Sequence, residues 1–116
     1  MALIQASGGA VFIGADEFGG IVITPVGEVD SAFAPTMLVA IREAIAGEPR
    51  RIVFDLASVT FLDSAGCDVL AVACGEARRA GIRVALHEDM TRMVRRVLAV
   101  TMLLCDFEPE LPSSPQ

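Results

Sequence analysis

The chain has no Lys, no Trp and no Tyr, a single His and only three Cys. Its nine basic residues are therefore all Arg, set against fifteen acidic residues, for a net charge of −6. An acidic surface repels phosphate backbones and anionic lipid, so neither nucleic acid nor a membrane is an expected partner. Three Cys form no even set and no Cys-x-x-Cys pair, which argues against a disulfide framework and for a reducing cytoplasm. One His with that Cys spacing offers no metal-ligand pattern, and no cofactor is expected. No apolar run approaches the ~18–20 residues of a membrane span. The longest, residues 97–105, is interrupted by Thr101. The first basic residue is Arg42, so the start of the chain does not read as a secretory leader.

What is present is apolar and aliphatic. Hydrophobic residues make up 53% of the 116 residues. A chain of this size fits one domain and buries roughly two-thirds of its unfolded surface, which suffices without disulfide or metal. Residues 1–10 read as a loosely held start that leads into a first strand over residues 10–13. Ile21, Val22 and Ile23 form a β-branched run that suits a strand buried on both faces. Pro25 cannot donate to a ladder, so it is expected to end that strand or lie at an edge. Gly27, Glu28, Val29 and Asp30 read as a loop. Asp30 or Ser31 then caps a helix with Pro35 in its first turn, and Gly47 closes it.

Residues 51–54 read as a short strand that ends at Asp55, and residues 56–62 as a connection anchored by Leu56, Val59, Phe61 and Leu62. Cys67, Leu70, Cys74 and Ala77 share one face of a second helix, which Arg78, Arg79 and Gly81 close. Residues 84–86 read as a buried strand. A third helix is expected near residues 91–100, apolar through Met90, Val94, Val97 and Leu98 and polar through Arg92, Arg95 and Arg96. Those Arg are most simply a solvated face. A last strand is expected over 103–107, and residues 109–116, with three Pro and two Ser, as a disordered tail. Strands alternating with helices imply an α/β domain with right-handed crossovers and a mostly parallel sheet. Function in such sheets gathers at the carboxyl ends of strands, where Asp55 and His87 fall, and Ser64, at a helix start on the same connection as Asp55, is expected near them.

Residues 53–66, from Val53-Phe54-Asp55-Leu56 through Phe61-Leu62-Asp63-Ser64-Ala65-Gly66, resemble the anti-sigma factor antagonists of the STAS domain family. The upstream Gly27-Glu28-Val29-Asp30 resembles that family's Gly-Glu-Leu-Asp loop. Element order agrees over residues 20–107, and residues 1–108 are read as the domain. The resemblance implies a protein that binds an anti-sigma factor with serine kinase activity. The kinase would phosphorylate Ser64 and so end the complex, and a serine phosphatase would restore it. The implied partner surface is Glu28, Asp30, Asp63, Ser64, Ala65 and Gly66. Ala65 and Cys67 stand where many members carry Ser or Thr and Leu.

Each of these residues also has a plain structural use. Ser64 is a favoured helix cap, Asp30 and Asp63 are turn and cap residues, and Gly66 admits a close backbone. Asp55 is read as a loop residue and Asp30 as part of the interface. Other functions compete: a STAS module of a transporter or stress-signalling complex, a scaffold without a switch, and a hydrolase using Ser64 and His87. The last lacks a nucleophile elbow and an evident oxyanion hole, so the protein is not read as an enzyme.

Overall fold

The structure is a computed structural model that describes residues 2–6, 9–101 and 108–109. Its strands are β1 (Ala2–Ala6), β2 (Gly9–Ala15), β3 (Ile21–Val29), β4 (Arg51–Phe54), β5 (Val59–Leu62), β6 (Arg83–Leu86) and β7 (Glu108–Pro109). Its helices are α1 (Ala34–Ala46), α2 (Ser64–Arg79) and α3 (Arg92–Val100). The sheet runs β1-β2-β3-β4-β6-β7, with β5 added beside β3. β1, β2 and β3 are antiparallel, and every other pairing is parallel. The domain is thus α/β with a mostly parallel sheet.

Several local expectations are corrected. Residues 2–6 and 9–10 are not loose: residues 2–6 form β1 and pair with β2, Leu3 opposite Phe12 and Gln5 opposite Ala10. Residues 27–29 are the end of β3 rather than a loop, and residues 59–62 are a strand rather than a connection, because the two segments pair with each other. Pro25 lies inside β3 without ending it. The Ile23 carbonyl accepts from the Asp55 N–H, and the Gly27 N–H donates to the Ser58 carbonyl. Pro25 therefore faces the step where β3 exchanges β4 for β5, and no ladder donor is required of it there. Residues 103–107 and 110–116 lie outside the described residues. Pro109, assigned to the tail, pairs with Leu86.

The core gathers on one sheet face. Val11, Ile23, Ile52, Phe54, Val84 and Leu86 from the strands meet Met37, Ile41, Leu70, Cys74, Val94 and Leu98 from the helices. The face predicted for α2 is the buried one, since Cys67, Leu70, Cys74 and Ala77 are all buried. Cys67 and Cys74 are seven residues apart on that helix, about 10 Å at ~1.5 Å per residue, beyond the roughly 7 Å Cα reach of a disulfide. Burial also pushes the Cys67 thiol up, although Thr101 beside it acts in the opposite sense. A thiol so raised and so enclosed is a poor nucleophile. Both thiols should resist alkylation in folded protein at neutral pH, and mild oxidant should form no bond between them. Mass mapping of labelled and oxidised samples checks both outcomes.

The β2–β3 turn shows how side chains hold the backbone. Asp16 Oδ1 accepts from the N–H groups of Phe18 at 2.7 Å and Gly20 at 2.8 Å, and Oδ2 meets Arg51 Nε at 3.4 Å. Burial alone would raise this carboxyl, but the two backbone donors and Arg51 bring it below its ordinary value. A depressed folded pKa stabilises above the unfolded value and is lost as pH falls through the folded one. Asp16→Ala should therefore cost about 1–3 kcal/mol at pH 7. Urea unfolding should show the gap to wild type narrowing once pH drops below about 3.9, the unfolded carboxyl value.

Candidate functional site

Two adjacent parallel strand ends create the site. Glu28 pairs with Phe61 and Val29 with Leu62, so Asp30 and Asp63 leave the sheet side by side in register. The Asp63 N–H donates to the Val29 carbonyl at 3.3 Å, which ties the two exits together. The register shifts between Gly27 and Glu28, and Gly27 has φ +92°. A side chain at that φ would be strained, so glycine suits the irregularity that aims Glu28 and Asp30 outward.

Each Asp then starts a helical segment. Asp30 Oδ1 accepts from the N–H groups of Ala32 at 3.1 Å and Phe33 at 3.0 Å, and its carbonyl accepts from Phe33 and Ala34. Asp30 thus caps a turn that leads into α1, where Pro35 sits in the first turn as expected. Ser31 makes no such cap. Asp63 is extended, with φ −108° and ψ −172°, and its Oδ1 accepts from the Gly66 N–H at 3.1 Å. Asp63 is therefore the N-cap of α2, and the capping role considered for Ser64 is corrected.

That shift frees the serine. Ser64 is the first residue of α2, exposed, and its hydroxyl has no hydrogen-bond partner among the described residues. The first amides of a helix lack intrahelical acceptors, and Asp63 takes only that of Gly66. The N–H groups of Ser64 and Ala65 thus face outward at the positive end of the helix dipole. Asp68, four residues on, shares the exposed helix face with Ser64.

Gly66 lies underneath. A Cβ built on it would stand 2.6 Å from the Val29 carbonyl oxygen and 2.5 Å from Leu62 Cδ1. The close backbone that this glycine admits is the chain's own β3. Glu28 is exposed, and Asp30, Asp63 and Ala65 are half-buried. The surface is therefore acidic, with an exposed Phe61 beside Glu28 and a bare hydroxyl at its centre.

His87 and Asp55 serve local turns. His87 Nδ1 accepts from the Asp89 N–H at 3.2 Å, and Asp55 Oδ1 accepts from the Ala57 N–H at 3.1 Å. The structure does not join Ser64 to His87 by a hydrogen bond. Among the described residues, no group of three His, Cys, Asp or Glu is placed to hold a metal. Sequence reasoning missed Asp68 and Phe61 as surface neighbours of the site. Helical spacing from Ser64 reveals the first, whereas the second required knowing that β5 is a strand.

A family-wide profile described as the STAS domain matches residues 13–113. The chain belongs to the STAS domain family. An anti-sigma factor antagonist from Mycobacterium paratuberculosis has the same architecture as this STAS domain, with a TM-score of 0.76 and 26% identity. The match covers 95% of this chain and 92% of that one. The anti-sigma factor antagonist SpoIIAA in its unphosphorylated form gives a TM-score of 0.71 at 19% identity, over 87% of this chain and 88% of that one. The Bacillus cell fate determinant SpoIIAA in the phosphorylated form gives 0.67 at 20%, over 87% and 91%. Those two share the fold. No curated protein matches this chain in sequence.

Proposed function

We propose that this STAS domain is an anti-sigma factor antagonist, a binding protein rather than an enzyme, switched off by phosphorylation of Ser64. The observation that carries the reading is the likeness to the Mycobacterium paratuberculosis antagonist over 95% of the chain. The exposed, unbonded Ser64 hydroxyl at the start of α2 supports the switch. SpoIIAA, which shares the fold, is known in phosphorylated and unphosphorylated forms. The partner is an anti-sigma factor with serine kinase activity, which supplies ATP, metal and base. A serine phosphatase reverses the modification. The setting is the cytoplasm, with neither nucleic acid nor membrane bound; among the described residues no helix is long and apolar enough to cross a membrane.

Glu28, Asp30, Asp63, Ser64 and Ala65 present the contact surface, and Gly66 holds α2 against β3 beneath it. The test is capture with unmodified protein from the native cell, followed by mass spectrometry. A Ser/Thr kinase should be retained, and incubation with ATP should place phosphate on Ser64. Retention of a transporter ATPase with no kinase would overturn the reading.

Asp30 offers a narrower check. Asp30→Asn keeps an oxygen for the N–H groups of Ala32 and Phe33 and removes only the charge. Against a basic partner surface, affinity should fall by about threefold to tenfold and lose part of its salt dependence. Calorimetry at low and high salt measures both.

A further inference from the structure

α3 is a locally basic stretch of this acidic chain. It carries Arg92, Arg95 and Arg96 and no acidic residue. Met93, Arg96 and Val100 recur at helical spacing on one exposed stripe, with Val100 76% exposed. Arg95 is engaged by the Glu88 carbonyl, whereas Arg96 forms no ion pair among the described residues. The segments that build the Ser64 surface are the reverse. Residues 27–33 and 59–69 hold Glu28, Asp30, Asp63 and Asp68 and not one basic residue. Phe61, 43% exposed, supplies that surface with an apolar contact.

The elements that carry the two surfaces adjoin. Thr101, which caps the end of α3, lies beside Cys67 in the first turn of α2, and α3 packs against β5. A basic-apolar patch next to an acidic-apolar patch is self-complementary under a half-turn, since each patch then meets its opposite on the other copy. We propose that a second copy of this chain docks here, the α3 stripe of each protomer lying on the acidic surface of its partner in a closed two-fold dimer. The pair covers the Asp63-Ser64 helix start, so it competes with any other ligand of that surface. It does not depend on Ser64 being a phosphorylation site.

Screening lengths decide the conditions. The net charge of −6 on each copy opposes association over the body of a molecule that measures 32 × 26 × 24 Å. At about 0.1 M ionic strength the Debye length is about 10 Å, which damps that repulsion and leaves contacts of a few ångströms effective. At about 1 M it is about 3 Å, and the cross-interface pairs weaken too.

The experiment is sedimentation equilibrium on wild type, Arg96→Glu, Asp68→Arg and an equimolar mixture of the two variants. Both positions are exposed, and circular dichroism checks that the fold is kept. At about 0.1 M salt, wild type should approach twice the 12.2 kDa chain mass, with association at least about tenfold weaker at about 1 M. Each variant alone should be monomeric, because it sets like charges against each other, and the mixture should regain the dimer. A monomeric wild type would overturn the proposal. So would variants that dimerise like wild type, or a mixture that stays monomeric.

Discussion

Phosphorylation of Ser64 is expected to lower affinity for the kinase partner by about 30- to 1000-fold, or roughly 2–4 kcal/mol. Phosphate adds about −1.5 to −2 charges at a position already flanked by Asp63 and Asp68. The helix itself tolerates the group. The N–H groups of Ser64 and Ala65 point outward at the positive end of α2, and a dianion there satisfies them. The loss arises at the interface, where a docked partner must desolvate the dianion or answer it with matching charge. Ser64→Ala should bind like unmodified protein and accept no phosphate. Because Asp63 provides the N-cap, Ser64→Ala removes no capping bond, and its stability should stay within about 0.5 kcal/mol of wild type. Ser64→Asp should bind weakly with an unchanged circular dichroism spectrum. Calorimetry of wild type, both variants and the phosphorylated protein measures the set. Four equal affinities would remove the switch and leave Ser64 as an ordinary first helical residue.

The sequence made the central elements legible where periodicity is strong. Cys67, Leu70, Cys74 and Ala77 marked the buried face of α2, and Val94 and Leu98 that of α3. It misled where a residue's ordinary preference was overridden by its neighbours. Pro25 reads as a strand end, yet β3 continues through it because the adjoining partner changes there. Gly27 reads as loop, yet it supplies the irregularity that lets β3 follow β5. β5 itself is only four residues long, with two exposed, so no alternation announces it. At the site, Asp-Ser before an apolar helix leaves two candidate caps. Only the extended backbone of Asp63, with its bond to the Gly66 N–H, distinguishes the cap from the free hydroxyl. Glu28 and Asp30 could be placed near Ser64 by resemblance, but their register against Phe61 and Leu62 depends on a long-range pairing that local sequence does not encode.

Gly66 and Gly75 lie on the same helix and should respond oppositely to alanine. In an exposed helix interior, Gly→Ala gains about 0.5–1 kcal/mol by restricting the unfolded chain. At Gly75 the nearest heavy atom to a new Cβ is the flexible Arg79 guanidinium at 3.4 Å, so Gly75→Ala should raise stability by about that amount. At Gly66 the new Cβ meets Leu62 Cδ1 at 2.5 Å and the Val29 oxygen at 2.6 Å. Leu62 can turn aside, but the Val29 carbonyl accepts the Asp63 N–H and belongs to β3, so it cannot retreat without loosening the junction. Overpacking of this kind costs about 1–3 kcal/mol, which exceeds the propensity gain. Gly66→Ala should therefore lower stability by roughly 1–2 kcal/mol, and Gly66→Val, with two more carbons in the same space, should largely abolish the folded state. Because the strain falls on the bond that aligns Asp63 with Val29, Gly66→Ala should also displace Ser64 from Asp30 and weaken partner binding beyond what its folded fraction explains. Urea unfolding of the three variants, with calorimetry on the folded ones, tests the contrast. A Gly66→Ala protein as stable as Gly75→Ala, with unaltered affinity, would show that β3 does not fix the position of the α2 start.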